Sequence, residues 1–173
     1  MLWCKRTRII CSLVIISACG FQPVLKKGAT SLLESEMRYI EITPIADRIG
    51  QMLRSHLVQE ITPLGKSLTT KYRLRVTLKE TKQNLAIKKS EVATRANLYF
   101  VAIYELTMKS NGRLLVKGQS HMTTSFNILA EPFSTMVAEK NARARAVREI
   151  SLDIGLKTAS FFRTNNSWGK KPA

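Results

Sequence analysis

The chain has little cysteine, and Cys4, Cys11 and Cys19 all lie near its start. Beyond them no disulfide, thiolate zinc site, redox pair or thiol nucleophile can be assembled. Acid is scarce too: 12 Asp and Glu stand against 28 Lys and Arg, a formal charge of +16. The acids are scattered without an Asp-x-Asp pair, which argues against a carboxylate metal or acid/base site. Histidine occurs only as His56 and His121, neither with a serine or acid at a telling spacing. Gly65, Gly112 and Gly118 are isolated, so no glycine-rich loop cradles a phosphate. A long apolar run is missing as well. Ile9 to Ile16 is the most apolar stretch, about half of the roughly 17–25 residues a spanning helix needs. From these absences we expect no enzyme, no cofactor and no metal.

What is present near the start sets the compartment. Lys5, Arg6 and Arg8 precede the apolar run, and small residues Ser17 and Ala18 follow it. A charged start, a short apolar core and a small-residue exit are the parts of a secretory signal, expected over 1–18. Ile16-Ser17-Ala18-Cys19 resembles the bacterial lipobox, which implies acylation of Cys19 as the new N-terminus. Several acyl chains, each buried CH₂ contributing about 0.8 kcal/mol, would anchor the chain stably. Without the signal, 25 basic residues face 12 acids, or +13. Such an excess favours polyanions and anionic membrane surfaces. In an exported chain the partners expected are lipopolysaccharide phosphates, acidic lipids or an acidic protein, and not nucleic acid.

Residues 19–36 read as a lipidated N-terminus and linker. Met37 to Thr43 is expected as a short strand with Ile40 and Ile42 on one face. Thr43-Pro44 is expected to start a helix, threonine as N-cap and proline at the first position. Its apolar stripe is Ile45, Ile49, Met52, Leu53, Leu57 and Ile61, and Pro63 and Gly65 end it. From Lys71 to Lys79, Tyr72, Leu74, Val76 and Leu78 alternate with Arg73, Arg75, Thr77 and Lys79, a half-buried strand. Arg95 to Ser110 is apolar on both faces and reads as an interior strand. Asn111-Gly112 suggests a type I′ turn. Leu114 to Ile128 follows, with Leu114, Val116, Met122, Phe126 and Ile128 in one register. Ser134 to Phe162 is expected as a long helix with Val137, Ala144, Val147, Ile150, Ile154 and Phe161 on one side. Gly155 weakens it by about 1 kcal/mol relative to alanine, and 165–173 reads as a disordered tail. The fold class that buries all these stripes is α+β. It is a small mixed or antiparallel four-stranded sheet with two helices on one face, in the order strand-helix-strand-strand-strand-helix, over a single domain at 37–164.

Cys19-Gly20-Phe21-Gln22-Pro23 resembles the mature start of the LPS-assembly lipoproteins, the LptE family, whose alphaproteobacterial members carry Cys-Gly-Phe-x-Pro. The element order is similar too, as is Glu131-Pro132-Phe133-Ser134 ahead of an Ala/Glu/Arg-rich helix. The pentapeptide is moderately specific; the rest of the likeness is topological and spans most of the chain after the signal. The resemblance implies a lipid-anchored outer-membrane protein lodged in the lumen of an LptD-type β-barrel. There it would assist barrel assembly and lipopolysaccharide transport to the surface, with direct lipopolysaccharide contact left open. Only Cys19, as the lipid site, carries over residue by residue.

The basic residues suit that role. Arg73, Arg75 and Lys79 share one strand face, and Lys82, Lys88, Lys89 and Arg95 are expected in or beside the following loop. Guanidinium and ammonium groups pair with phosphate, so the cluster is a candidate contact for anionic lipid or a barrel wall. A solvated face blunted by charge against aggregation is the plainer reading. An auxiliary or pilot lipoprotein of another envelope transport or secretion complex is the alternative function.

Overall fold

A computed structural model describes residues 36–63, 65, 67–86 and 93–165. Cys19, the expected signal, most of the expected linker, Lys88, Lys89 and 166–173 lie outside the described residues. Chain order is β1 (Ile40–Ile42), α1 (Asp47–Ile61), β2 (Tyr72–Ala86), β3 (Ala93–Met108), β4 (Leu114–Asn127) and α2 (Pro132–Thr164). The sheet runs β1-β2-β3-β4, with β1 parallel to β2 and the other pairs antiparallel. This is the expected α+β architecture.

Period-two alternation decides which face the helices cover. Leu74 and Val76 of β2 are buried, as are Leu98, Phe100, Ala102, Tyr104 and Leu106 of β3. Leu53, Leu57 and Ile61 of α1 and Val147, Ile150 and Ile154 of α2 close over them in one core. β3 is interior, as its two-sided apolar character suggested. At one end of the sheet Glu36 belongs to the packed body, since the Tyr72 hydroxyl donates to its carboxylate at 3.0 Å. Burial, then the Glu36 hydrogen bond and charge, push the Tyr72 phenol up to about 12.

Several local expectations are corrected. Thr43 does not cap α1. Its N–H and hydroxyl both donate to the Leu74 carbonyl (3.0 and 3.3 Å), so it prolongs the pairing with β2. The helix starts later, at Asp47 with φ 66, a backbone region aspartate tolerates better than most residues. β2 does not stop at Lys79 but pairs with β3 to Ala86. The β3–β4 turn is not type I′: Gly112 has φ +68, whereas Asn111 is not left-handed. Instead the Gly112 N–H donates to the Met108 carbonyl, and Asn111 Oδ1 accepts from the Arg113 N–H.

That longer loop is followed by a bulge. Leu106 pairs with Val116 but Thr107 pairs with Leu114, so β4 holds one extra residue there. Leu114 is thereby thrown out of the core register and stands half exposed. In α2 the buried stripe is Ala142, Ala146, Val147, Ile150, Ser151, Ile154, Thr158 and Phe162. Val137 is exposed, and Ala144 and Phe161 are only half-buried, because they fall beside this stripe and not on it. Gly155 is buried where α2 approaches α1, with Glu60 opposite.

Candidate functional site

Both helices lie on one side, and among the described residues no element covers the other side of the sheet. Its rows follow from the registers. Glu41, Arg73 and Thr107 form one; Arg75, Glu105 and Lys117 the next; then Thr77, Ile103 and Gln119; and Lys79, Val101 and His121. Farther along come Thr81, Tyr99 and Thr123, then Gln83, Asn97 and Ser125. Down the middle runs an apolar strip of Tyr99, Val101 and Ile103, of which Ile103 is 44% exposed. Cations border it on the β2 side.

Arg73, Arg75 and Lys79 therefore do share this face, all exposed, over about 20 Å of strand at 3.3 Å per residue. Among the described residues none of the three forms an ion pair. Arg95 lies on the same face, but it pairs with Leu85 and so stands roughly another 20 Å beyond Lys79. Its guanidinium donates to the Ser125 hydroxyl at 2.6 Å. The expected group is thus a stripe with a distant end, and not a compact cluster.

Lys82 leaves the group altogether. Even-numbered β2 residues point to the helices, so Lys82 meets Glu139 of α2 at 3.0 Å and lies 5.1 Å from the Phe126 ring centroid. Beside it Arg143 of α2 holds Glu80 at 2.9 Å and Glu139 at 2.5 Å. Burial pushes the Glu139 carboxyl up, but hydrogen bonds and charge from Lys82 and Arg143 outweigh that and hold it below the usual range. This half-buried network fastens α2 to β2 and offers nothing to a ligand.

Sequence reasoning missed the rest of the open face. Lys117 pairs with Glu105 at 2.9 Å. Hydrogen bonding and charge from Lys117, with a smaller effect of Arg75, hold the exposed Glu105 carboxyl below the usual range. His121 sits across Val101 from Lys79, and His56 is half-buried on α1. The signal available was register: once β2, β3 and β4 are paired, the odd-numbered residues of β2, β3 and β4 share a side. Chemically the surface offers cations, without ion pairs for Arg73, Arg75 and Lys79 among the described residues, beside an apolar strip, a match for amphiphilic anions or a partner wall of that character. Among the described residues no group of His, Asp, Glu or Cys is arranged to hold a metal ion. No described helix is long and apolar enough to cross a membrane.

No protein-family model and no curated protein sequence matches the chain. Solved structures do. A lipoprotein candidate of Caulobacter crescentus CB15 superposes with a TM-score of 0.61 at 23% identity, covering 82% of this chain and 98% of that one. Rare lipoprotein B of Shewanella oneidensis gives 0.56 at 8% identity, covering 74% and 98%. Lipoprotein B of Nitrosomonas europaea gives 0.51 at 15%, covering 72% and 86%. At such identities the likeness is one of fold, and the chain has the α+β fold of these bacterial lipoproteins.

Proposed function

We propose that this chain is an envelope lipoprotein of the LptE type, acylated on Cys19 and held at the outer membrane. There it plugs and helps assemble an LptD-type β-barrel in lipopolysaccharide transport. The fold shared with rare lipoprotein B and the Caulobacter lipoprotein candidate supports the class. The Cys-Gly-Phe-Gln-Pro start and the Ile-Ser-Ala-Cys exit support the anchor.

The observation that carries the reading is the open sheet face. Among the described residues, Arg73, Arg75 and Lys79 border Tyr99, Val101 and Ile103 there without forming ion pairs. A barrel lumen with acidic groups, or lipid A phosphates passing through it, supplies the complement. The role is binding and scaffolding, with no chemistry of its own, no cofactor and no nucleic acid.

The test is a mild-detergent pull-down of the tagged chain from outer membranes, with and without Arg73→Glu, Arg75→Glu and Lys79→Glu together. One large β-barrel protein in fixed ratio, lost in the triple variant, is the expected result. Co-elution with an inner-membrane ATPase complex or a secretin ring would refute the barrel reading in favour of an auxiliary or pilot lipoprotein. Retention of the barrel by the triple variant would refute the role of the open face.

A further inference from the structure

A second surface lies on the helical side of the molecule, away from the open sheet face. The first turns of α2 run past the start of α1 and leave a groove of about 580 Å³ between them. Its walls are apolar: Ile49 and Met52 from α1 face Phe133, Met136 and Val137 from α2. These side chains are not tucked away. Phe133 is 71% exposed and Met136 58%, and Leu129 just upstream is 50% exposed.

Position in the fold explains why the sequence stripe misplaced this region. α2 is 33 residues long, and its buried stripe begins only at Ala142. Val137, five residues earlier, lies on the α1 side of α2, in the groove with Ile49 and Met52. The core therefore gives no account of Phe133, Met136 and Val137.

Charge indicates what covers them. Arg48, Lys140 and Arg143 line the groove with a single carboxylate, Glu139. Glu139 is already held by Lys82 and Arg143, and Arg143 is further occupied by Glu80. Arg48 and Lys140 have no ion-pair partner among the described residues, and both are exposed. Protruding Phe and Met side chains flanked by uncommitted cations match the interface of an anionic bilayer. Apolar groups enter the boundary of headgroups and acyl chains by about 5–10 Å, while Lys and Arg stay with the phosphates.

We propose that this groove is a membrane-contact site, which seats Phe133, Met136 and Val137 in the surface of a bilayer containing anionic phospholipid, with Arg48 and Lys140 on the phosphates. It acts in addition to any acyl anchor and does not depend on the open sheet face or on a barrel partner. Its consequence is orientation: a chain held both at its N-terminus and at the α1–α2 groove is fixed in its rotation relative to the membrane plane.

The experiment uses the full chain with Cys4, Cys11 and Cys19 changed to Ser, so that acylation cannot contribute. A nitroxide is placed through Met136→Cys or, as a control, through Leu114→Cys at the other end of the molecule. Each is mixed with phosphatidylglycerol or phosphatidylcholine vesicles, and collision with oxygen is compared with collision with an aqueous nickel complex. In phosphatidylglycerol, position 136 should become oxygen-accessible and nickel-protected while position 114 stays aqueous. Arg48→Gln with Lys140→Gln should reverse this, since each cation near an anionic surface is worth about a factor of five in partitioning. A label at 136 that stays aqueous, which includes a groove reserved for a protein, overturns the proposal. Equal immersion in both lipids overturns it too, because the cations then do nothing.

Discussion

Two glycine-to-alanine changes should move stability in opposite directions, and the difference is set by what each new methyl group meets. Gly118 of β4 sits opposite Tyr104 of β3 on the helix-covered face. A Cβ there would lie 2.5 Å from the Tyr104 hydroxyl oxygen, 2.6 Å from Cζ and 3.0 Å from Cε1. Tyr104 is 4% exposed, so its ring has nowhere to swing. The backbone at Gly118 is not left-handed, so alanine is otherwise permitted and would gain about 0.4–1 kcal/mol through the unfolded chain. Overpacking costs about 1–3 kcal/mol. The expected net for Gly118→Ala is a loss of about 1–2 kcal/mol. For a domain of this length that is a Tm lower by roughly 3–10 °C.

At Gly155 the new Cβ meets only Glu60 Cβ at 3.5 Å, an ordinary contact. Gly155→Ala should therefore recover helix propensity and stabilise by up to about 1 kcal/mol. Urea denaturation followed by circular dichroism reads both. A double-mutant cycle identifies the cause. Tyr104→Leu removes the ring and should relieve much of the Gly118→Ala cost, whereas Tyr104→Phe leaves Cζ in place and should not. A Gly118→Ala protein as stable as the parent, or a cycle without coupling, would refute the reasoning.

Arg143→Met strips the shared cation from Glu80 and Glu139, leaving two largely buried carboxylates. A loss of about 1–2 kcal/mol is expected by urea titration, whereas Lys117→Ala on the solvent-facing Glu105 pair should produce no measurable change. Stability should also fall in acid. Glu139 and Asp153 both have folded-state values held below the ordinary ones. Their contribution is present above about pH 4.5 and is lost as pH falls through the folded values. Glu139→Gln should flatten that acid limb of the denaturation midpoint. At the other extreme Tyr72 is raised to about 12, so its contribution is complete below pH 10 and lost as pH rises through 12. Tyr72→Phe should remove that alkaline loss. Finally, the Thr124 hydroxyl is buried without a hydrogen-bond partner among the described residues. Thr124→Val should raise the Tm, by the few degrees that correspond to about 1 kcal/mol.

The element order and the inner faces of the strands were legible because period two and period 3.6 are local properties. Leu74 and Val76 alternate with Arg73 and Arg75 whatever lies beside them, and Leu53 and Leu57 fall on one helical face for the same reason. Acid poverty and the N-terminal cysteines were likewise fixed before any folding. Where one element had to be placed against another, local pattern failed. Thr43 looks like a cap until Leu74 of the neighbouring strand claims its hydroxyl. Lys82 looks like a loop cation until β2, extended by its pairing with β3, turns it toward Glu139. Val137 looks like core because its spacing is right, but it falls on the α1 side of α2, in the groove with Ile49 and Met52, and stays exposed. Leu114 was moved to the outer face by a single extra residue in β4. Sequence alone determined which residues are apolar, which are charged and at what period. Only the tertiary structure decided what each faces, because a neighbour across a sheet or between two helices is chosen by register and by the finite size of the elements, and neither is written in local spacing.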